Sequence, residues 1–193
     1  MLDDLLPRIQ VPDGPVAVSG ETWLEIGFGG GEHLAEQAAR HPDVTLIGAE
    51  PFLNGVASAL RHVDERGLAN VRIHPDDVRS LLERLPDGGL ARIFILFPDP
   101  WPKLRHQKRR LLQPELVGEL VRVLRPGGRL RFATDWADYA EGALAVLTRE
   151  PELTWTAEQA DHWRMPPDDH VTTRYETKRL GDIAPLFFDF ERR

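Results

Sequence analysis

From Thr22 onward the chain alternates short runs of β-branched and aliphatic residues with longer runs whose apolar positions recur at helical spacing. That is the pattern of βαβ units feeding a mostly parallel sheet, and it predicts an α/β fold. Strands are expected over Thr22 to Ile26, Val44 to Ala49, Val71 to His74, Ala91 to Phe97 and Arg129 to Ala133. The fourth is the most apolar run in the chain, as befits a central strand covered on both faces, and it stops at Pro98. Helices are expected after the first strand to about Arg40, then over Phe52 to about Arg66, Val78 to Leu85, Pro114 to Leu124 and Trp136 to Arg149. Pro126-Gly127-Gly128 stops the fourth of these. Leu153 to Ala157 and Leu186 to Glu191 read as two late strands that can pair antiparallel at one edge. Between them, about residues 158–185 form a long polar segment with little periodicity, which in a compact domain points to a functional loop. Residues 1 to about 20, with Pro7, Pro12, Gly14 and Pro15, are expected to be an irregular arm.

Length and composition narrow this picture without yet giving a function. One domain over residues 1–193 is the default at this size, and 41% apolar with 28% charged residues is a globular balance. No apolar run approaches the roughly 18 residues that span a bilayer, so a membrane protein is not expected. With no cysteine, disulfides, thiolate metal sites and cysteine nucleophiles are all excluded. The acidic start, Asp3 and Asp4, lacks the basic and apolar regions of a secretion signal, which leaves the cytoplasm as the default. The seven histidines form no close pair on one helical face, so no metal is predicted, and no G-x-S-x-G elbow supports a hydrolase.

Candidate chemistry starts at Glu25-Ile-Gly27-Phe-Gly29-Gly-Gly31, between a predicted strand and helix, where glycines let backbone turn sharply and approach a ligand. No Gly-Lys-Ser/Thr follows, which excludes a P-loop, and Glu32 stands where a dinucleotide site wants a third small residue. The spacing G-x-G-x-G, with an acid two residues before it, resembles the cofactor loop of class I S-adenosylmethionine-dependent methyltransferases; an ordinary tight turn is the alternative. Further acids follow successive strands, at the edge where open α/β sheets bind ligands: Glu50, Asp77 and Asp99. They suit a ligand with positive charge and hydroxyls but no phosphate. Glu25 can balance an ammonium, Glu50 can accept from ribose hydroxyls, and Asp77 can accept from an adenine amino group. Taken singly, each acid is equally readable as a solvated loop carboxylate, and Asp77 as a helix cap.

The most specific stretch is Ile95-Leu-Phe-Pro98-Asp99-Pro100-Trp101-Pro102-Lys103, whose prolines hold a carboxylate and an indole on a stiff strand-end loop. With Arg105-His106 and Lys108-Arg109-Arg110 behind it, this string resembles the bacterial tRNA (guanine-N7)-methyltransferase family. Leu24-Glu-Ile-Gly27-Phe-Gly29, Ala133-Thr-Asp135-Trp136 and Thr173-Arg-Tyr175-Glu176 agree, in the same order. The resemblance implies a Rossmann-like class I methyltransferase fold, a mostly parallel seven-stranded sheet with one antiparallel edge strand. It implies S-adenosylmethionine as cofactor, held by Glu25, Gly27, Gly29, Gly31, Glu50, Asp77 and Asp99, with Asp99 also the active-site residue. Lys103, Asp135, Thr173, Arg174, Tyr175 and Glu176 match substrate positions. The implied reaction methylates N7 of a guanine in tRNA, at position 46 of the variable loop. The chain starts close to its first strand, without the long basic extension of many relatives, which implies fewer tRNA contacts. No obligate protein partner is implied.

Charge distribution supports the RNA reading. The chain has 24 basic and 31 acidic residues, a net charge of −7, which argues against a general nucleic-acid coat. Yet residues 101–131 hold nine basic residues and two acids, leaving the remainder at −14. Such asymmetry suits one polyanion-facing surface, with Arg105, His106, Lys108, Arg109 and Arg110 as phosphate contacts. A solvated loop and helix face is the competing reading. At the level of function, the alternatives are a small-molecule methyltransferase of the same fold, a non-catalytic RNA-binding protein, and more distantly a nicotinamide-dependent oxidoreductase.

Overall fold

The computed structural model describes residues 2–193. Seven strands form one sheet: β1 (Thr22–Ile26), β2 (Thr45–Ala49), β3 (Val71–His74), β4 (Leu90–Leu96), β5 (Leu124–Thr134), β6 (Leu153–Trp155) and β7 (Leu186–Arg192). Their order is β3-β2-β1-β4-β5-β7-β6, parallel except for β7, which runs antiparallel to both of its neighbours. The order reverses between β1 and β4, so the chain crosses over there and leaves a crevice at the carboxyl ends of the strands. The two late strands pair as their sequence suggests, with β6 outermost and β7 inserted between it and β5.

Period-two alternation divides the core between the two faces of the sheet. Along β4, Ile93 and Ile95 pack with Leu24, Leu130 and Phe132 on the face covered by α4 (Val78–Leu82), α5 (Pro114–Val123) and α6 (Ala137–Arg149). Phe94 and Leu96 pack on the other face with Trp23 and Leu46, under α2 (Glu32–Arg40) and α3 (Leu53–Arg66). Among the described residues, no long helix covers β5 and β7 on this second face. The segment 165–183 lies there instead, tied to the sheet where Asp169 meets Arg131 of β5 and Arg92 of β4.

Three expectations from sequence need correction. The arm is ordered: α1 (Leu6–Ile9) is followed by a parallel bridge from Gln10 to Ile73, and Ile9, Val11 and Val16 are buried. Its proline tolerates this because Pro7 sits in a first helical turn, where its missing N–H has no partner to lose. The loop over residues 158–185 contains two short helices, α7 (Asp161–Arg164) and α8 (Arg174–Thr177). Finally, α5 passes directly into β5 at Leu124, and the Pro126-Gly127-Gly128 turn sits inside β5 where its register against β4 shifts.

Candidate active site

A cleft of about 730 Å³ opens at the carboxyl ends of β1, β2 and β4, within the range of small-ligand sites. Glu25, Gly27, Gly29, Glu50, Asp77 and Asp99 all line it, as do Thr173, Arg174 and Tyr175 from the loop and Arg109 from the basic cluster. The glycine loop is bound to the neighbouring strand by Gly27 N–H, which donates to Ala49 O at 2.8 Å. Gly31 has φ +81 at the start of α2, and a Cβ there would stand 2.6 Å from the Ala59 Cβ on α3, so only glycine allows this approach of the two helices.

The acids are held in different ways. Glu25 is 3% exposed, and its Oε2 accepts from His33 Nδ1 at 2.8 Å. Glu50 is likewise buried and accepts from the peptide N–H groups of Gly29, at 2.9 Å, and Phe52, at 3.0 Å. Burial pushes its carboxyl above the usual range; the two N–H donors oppose the rise and the Asp99 charge adds to it. A carboxylate has about four lone-pair sites, so Glu50 retains acceptor capacity toward the cleft. Asp77 caps α4 by accepting from Arg79 N–H at 2.9 Å, and its other oxygen pairs with the Arg79 guanidinium at 2.8 Å. It therefore serves as a helix cap while it lines the cleft.

Asp99 is exposed on the loop that follows β4. Phe97 and Trp101, the residues before Pro98 and Pro102, have φ of +51 and +43. A bulky residue in the left-handed region costs of order 1–3 kcal/mol, and such strain clusters at functional sites. Here it brackets one carboxylate. The Arg109 guanidinium lies 5.0 Å from the centre of the Trp101 ring, and the His106 ring meets Trp101 edge-on at 5.9 Å.

The basic cluster folds as a 3₁₀ helix, Leu104–Arg109, with Lys103 at its N-cap. Lys103, Arg105, Lys108 and Arg109 are exposed and His106 half-buried, whereas Arg110 is 8% exposed. Arg110 points inward: it ion-pairs with Asp138 and lies over the Tyr139 ring, and its Nε donates to Pro100 O. Its guanidinium is thus spent on the loop that carries Asp99.

Asp135 lies outside the cleft lining. It is buried, accepting from Gly181 N–H at 3.1 Å and Tyr175 Oη–H at 3.3 Å, while its peptide oxygen accepts from Asp182 and Ile183 N–H. Thr173 and Glu176 form a capping box for α8, and Glu176 also meets His170 Nε2 at 2.8 Å. Burial raises the Glu176 carboxyl, but the hydrogen bond from His170 and the Thr173 N–H outweigh it and hold the group below its ordinary value. Tyr175 packs its ring 5.6 Å from Phe97, joining the loop to the strained turn. Residues not singled out from sequence also reach the cleft, among them Phe52, Arg79 and Lys178. The aromatic after Glu50 was a readable signal for the first; nothing in the local sequence marks the other two.

Residues 19–183 match a family model described as "Putative methyltransferase". A relative from Caulobacter vibrioides (strain NA1000 / CB15N), named tRNA (guanine-N(7)-)-methyltransferase, is 57% identical over 198 residues, covering 100% of this chain and 87% of the relative. The chain belongs to the tRNA (guanine-N7)-methyltransferase family. A second member, from Rhodospirillum rubrum, is 46% identical over 210 residues and spans 100% of this chain and 81% of its own. Among solved structures, an rRNA methylase from Streptococcus thermophilus superposes with a TM-score of 0.59 at 14% identity, over 100% of this chain and 94% of that one. That likeness establishes the class I methyltransferase fold. Among the described residues no helix is long and apolar enough to cross a membrane.

Proposed function

We propose that this protein transfers a methyl group from S-adenosylmethionine to N7 of a guanine in tRNA, at position 46 of the variable loop, as one methyltransferase domain acting in the cytoplasm. The observation that carries this reading is the position of Asp99, on a strained loop with the acid-lined cleft on one side and an exposed basic 3₁₀ helix on the other.

The cleft fits the methyl donor in its chemistry. Its strand ends offer carboxylates and open glycine backbone, which suits a cationic ligand that carries hydroxyls and no phosphate. In this reading Glu25 faces the ammonium end, the free lone pairs of Glu50 take the ribose hydroxyls, and Asp77 meets the adenine amino group. When bound, the donor supplies an electrophilic methyl carried on a sulfonium.

The chain's own residues then align and stabilise. Guanine N7 has an in-plane lone pair and no proton, so no general base is required. Alignment and a favourable field are what remain for the protein to provide. Asp99 supports both, by accepting from guanine N1 and the exocyclic amine and by favouring positive charge as it moves onto the purine. Trp101 and Tyr175 offer aromatic faces to an extruded base. Lys103, Arg105, Lys108 and Arg109 hold phosphates and position the RNA without reading its sequence. Asp135, Thr173 and Glu176 support the substrate side by holding Tyr175 and Arg174 at the cleft.

The deciding experiment incubates the protein with methyl-labelled S-adenosylmethionine and unmodified tRNA and maps the label. The expected product is 7-methylguanosine in the variable loop. Label absent from guanine N7 overturns the reading, and label confined to small molecules assigns the fold to a small-molecule methyltransferase instead.

A further inference from the structure

Behind Glu25, two buried polar side chains of α2, His33 and Gln37, extend a chain of contacts that the proposed reaction does not use. Glu25, His33 and Gln37 are 3%, 2% and 0% exposed. His33 and Gln37 lie one turn apart on α2. His33 Nδ1 faces Glu25 Oε2 at 2.8 Å, and its Nε2 faces Gln37 Nε2 at 3.2 Å. Gln37 Nε2 also donates to the peptide oxygen of Asp169 at 2.9 Å.

These contacts fix which ring nitrogen carries the hydrogen. The Asp169 carbonyl can only accept, so it holds the Gln37 amide with its NH₂ group inward; turning the amide would set two acceptors against each other. In this orientation Gln37 Oε1 is buried without a partner. With Gln37 donating to Nε2, the neutral imidazole carries its hydrogen on Nδ1, aimed at Glu25. The far end of the chain is equally fixed, because the Asp169 carboxylate is gripped by Arg92 and Arg131.

We propose that His33 is a positioning residue for the donor's amino-acid end: it ties down one oxygen of Glu25 so that the other faces the cleft. This inference rests on the methyl-donor reading of the cleft given above. A glutamate side chain has three torsions between its backbone and its carboxylate oxygens. Where it is buried and held by one charge-assisted hydrogen bond, losing that bond frees the torsions and costs the site its orientation.

The test reads binding directly, by calorimetry on the full chain with two ligands. S-adenosylhomocysteine carries the amino-acid end; 5′-methylthioadenosine keeps the nucleoside and lacks that end. His33→Leu is expected to weaken S-adenosylhomocysteine about tenfold or more, as befits loss of a hydrogen bond to a charged group, and to leave 5′-methylthioadenosine within about twofold. An amide can replace one imidazole nitrogen. His33→Asn, which reaches as Nδ1 does, is expected to recover most of the loss, and His33→Gln, which reaches as Nε2 does, is not. That contrast keeps the proposal testable if His33→Leu does not fold.

Equal weakening of both ligands, or no change in either, overturns the proposal, as does a Gln variant that binds as well as the Asn one. If the unsubstituted protein binds neither ligand, the donor reading itself fails, a result separate from the first.

Discussion

Arg110 Nε donates to the carbonyl oxygen of Pro100 at 2.9 Å, so the last residue of a basic run is used to hold the backbone beside Asp99. Lys108 and Arg109, which precede it, are exposed. The same guanidinium meets the Asp138 carboxylate and the Tyr139 ring of α6, which makes it the joint between the loop that carries Asp99 and helix α6.

This separates two kinds of basic residue by experiment. Arg105→Ala and Lys108→Ala are each expected to lower the slope of log binding constant against log salt by about 0.7–0.9, one phosphate contact apiece, with no change in melting temperature. Arg110→Ala is expected to leave that slope unaltered. It instead costs about 1–3 kcal/mol of stability, since it strands a carbonyl and removes a ring contact, and it lowers kcat by freeing the Asp99 loop. Salt titrations of tRNA binding alongside thermal melts decide the matter.

Asp99→Ala is expected to reduce turnover by at least about a hundredfold, the scale on which one electrostatic stabiliser acts, while tRNA affinity at fixed salt stays within a few-fold. Asp99→Asn keeps the shape and loses the charge. Its kcat distinguishes field stabilisation, which an amide cannot replace, from hydrogen bonding to the base, which it retains in part. Single-turnover methylation with a filter-binding control measures both quantities.

At Gly181 the constraint is close approach. A Cβ there would stand 2.2 Å from Asp135 O and 2.3 Å from its Cγ, with no room for either to yield. Gly181→Ala is therefore expected to lift residues 173–183 off Asp135 and to cost about 1–3 kcal/mol, as overpacking does. Loss of the Tyr175 contact then raises KM for tRNA more than KM for the methyl donor. Faster limited proteolysis of that segment is the structural readout.

Much of the fold was legible because strand limits coincide with a change of hydrophobic period and with glycine or proline. The acids at the strand ends were legible for the same reason: once the strands are placed, Glu25, Glu50, Asp77 and Asp99 fall at one edge. The short helix α8 was also readable, since Thr173-x-x-Glu176 is a capping-box spacing. The inward turn of Arg110 had no sequence signal, because a run of five basic residues looks the same whichever member is buried. The partnership of Glu25 with His33 depends on where α2 lands on the sheet, and Asp169, 38 positions beyond Arg131, is paired only by tertiary contact.

That Asp169 pairing carries a pH signature. Burial raises its carboxyl, but the hydrogen bonds and charges of Arg131 and Arg92 outweigh it and hold the group at about 2. A depressed carboxyl stabilises the fold above its unfolded value near 4 and loses that contribution as pH falls toward 2. Asp169→Asn is expected to be less stable than the parent by about 1–2 kcal/mol at pH 7, and the gap should close between about pH 4 and pH 2. Denaturant midpoints across that range check both the size and the sign.

The order of the strands constrains how the chain reaches this state. Strand β6 is made before β7, its only ladder partner among the described residues. Until residues 186–192 emerge from the ribosome, β5 presents a row of open peptide groups and Phe132 lacks its stacked neighbour Phe188. The growing chain must keep that slot vacant through the synthesis of some thirty mostly polar residues. The sheet is thus completed only after the 158–185 segment has been made, and anything that captures that segment early holds β7 back from its slot between β5 and β6.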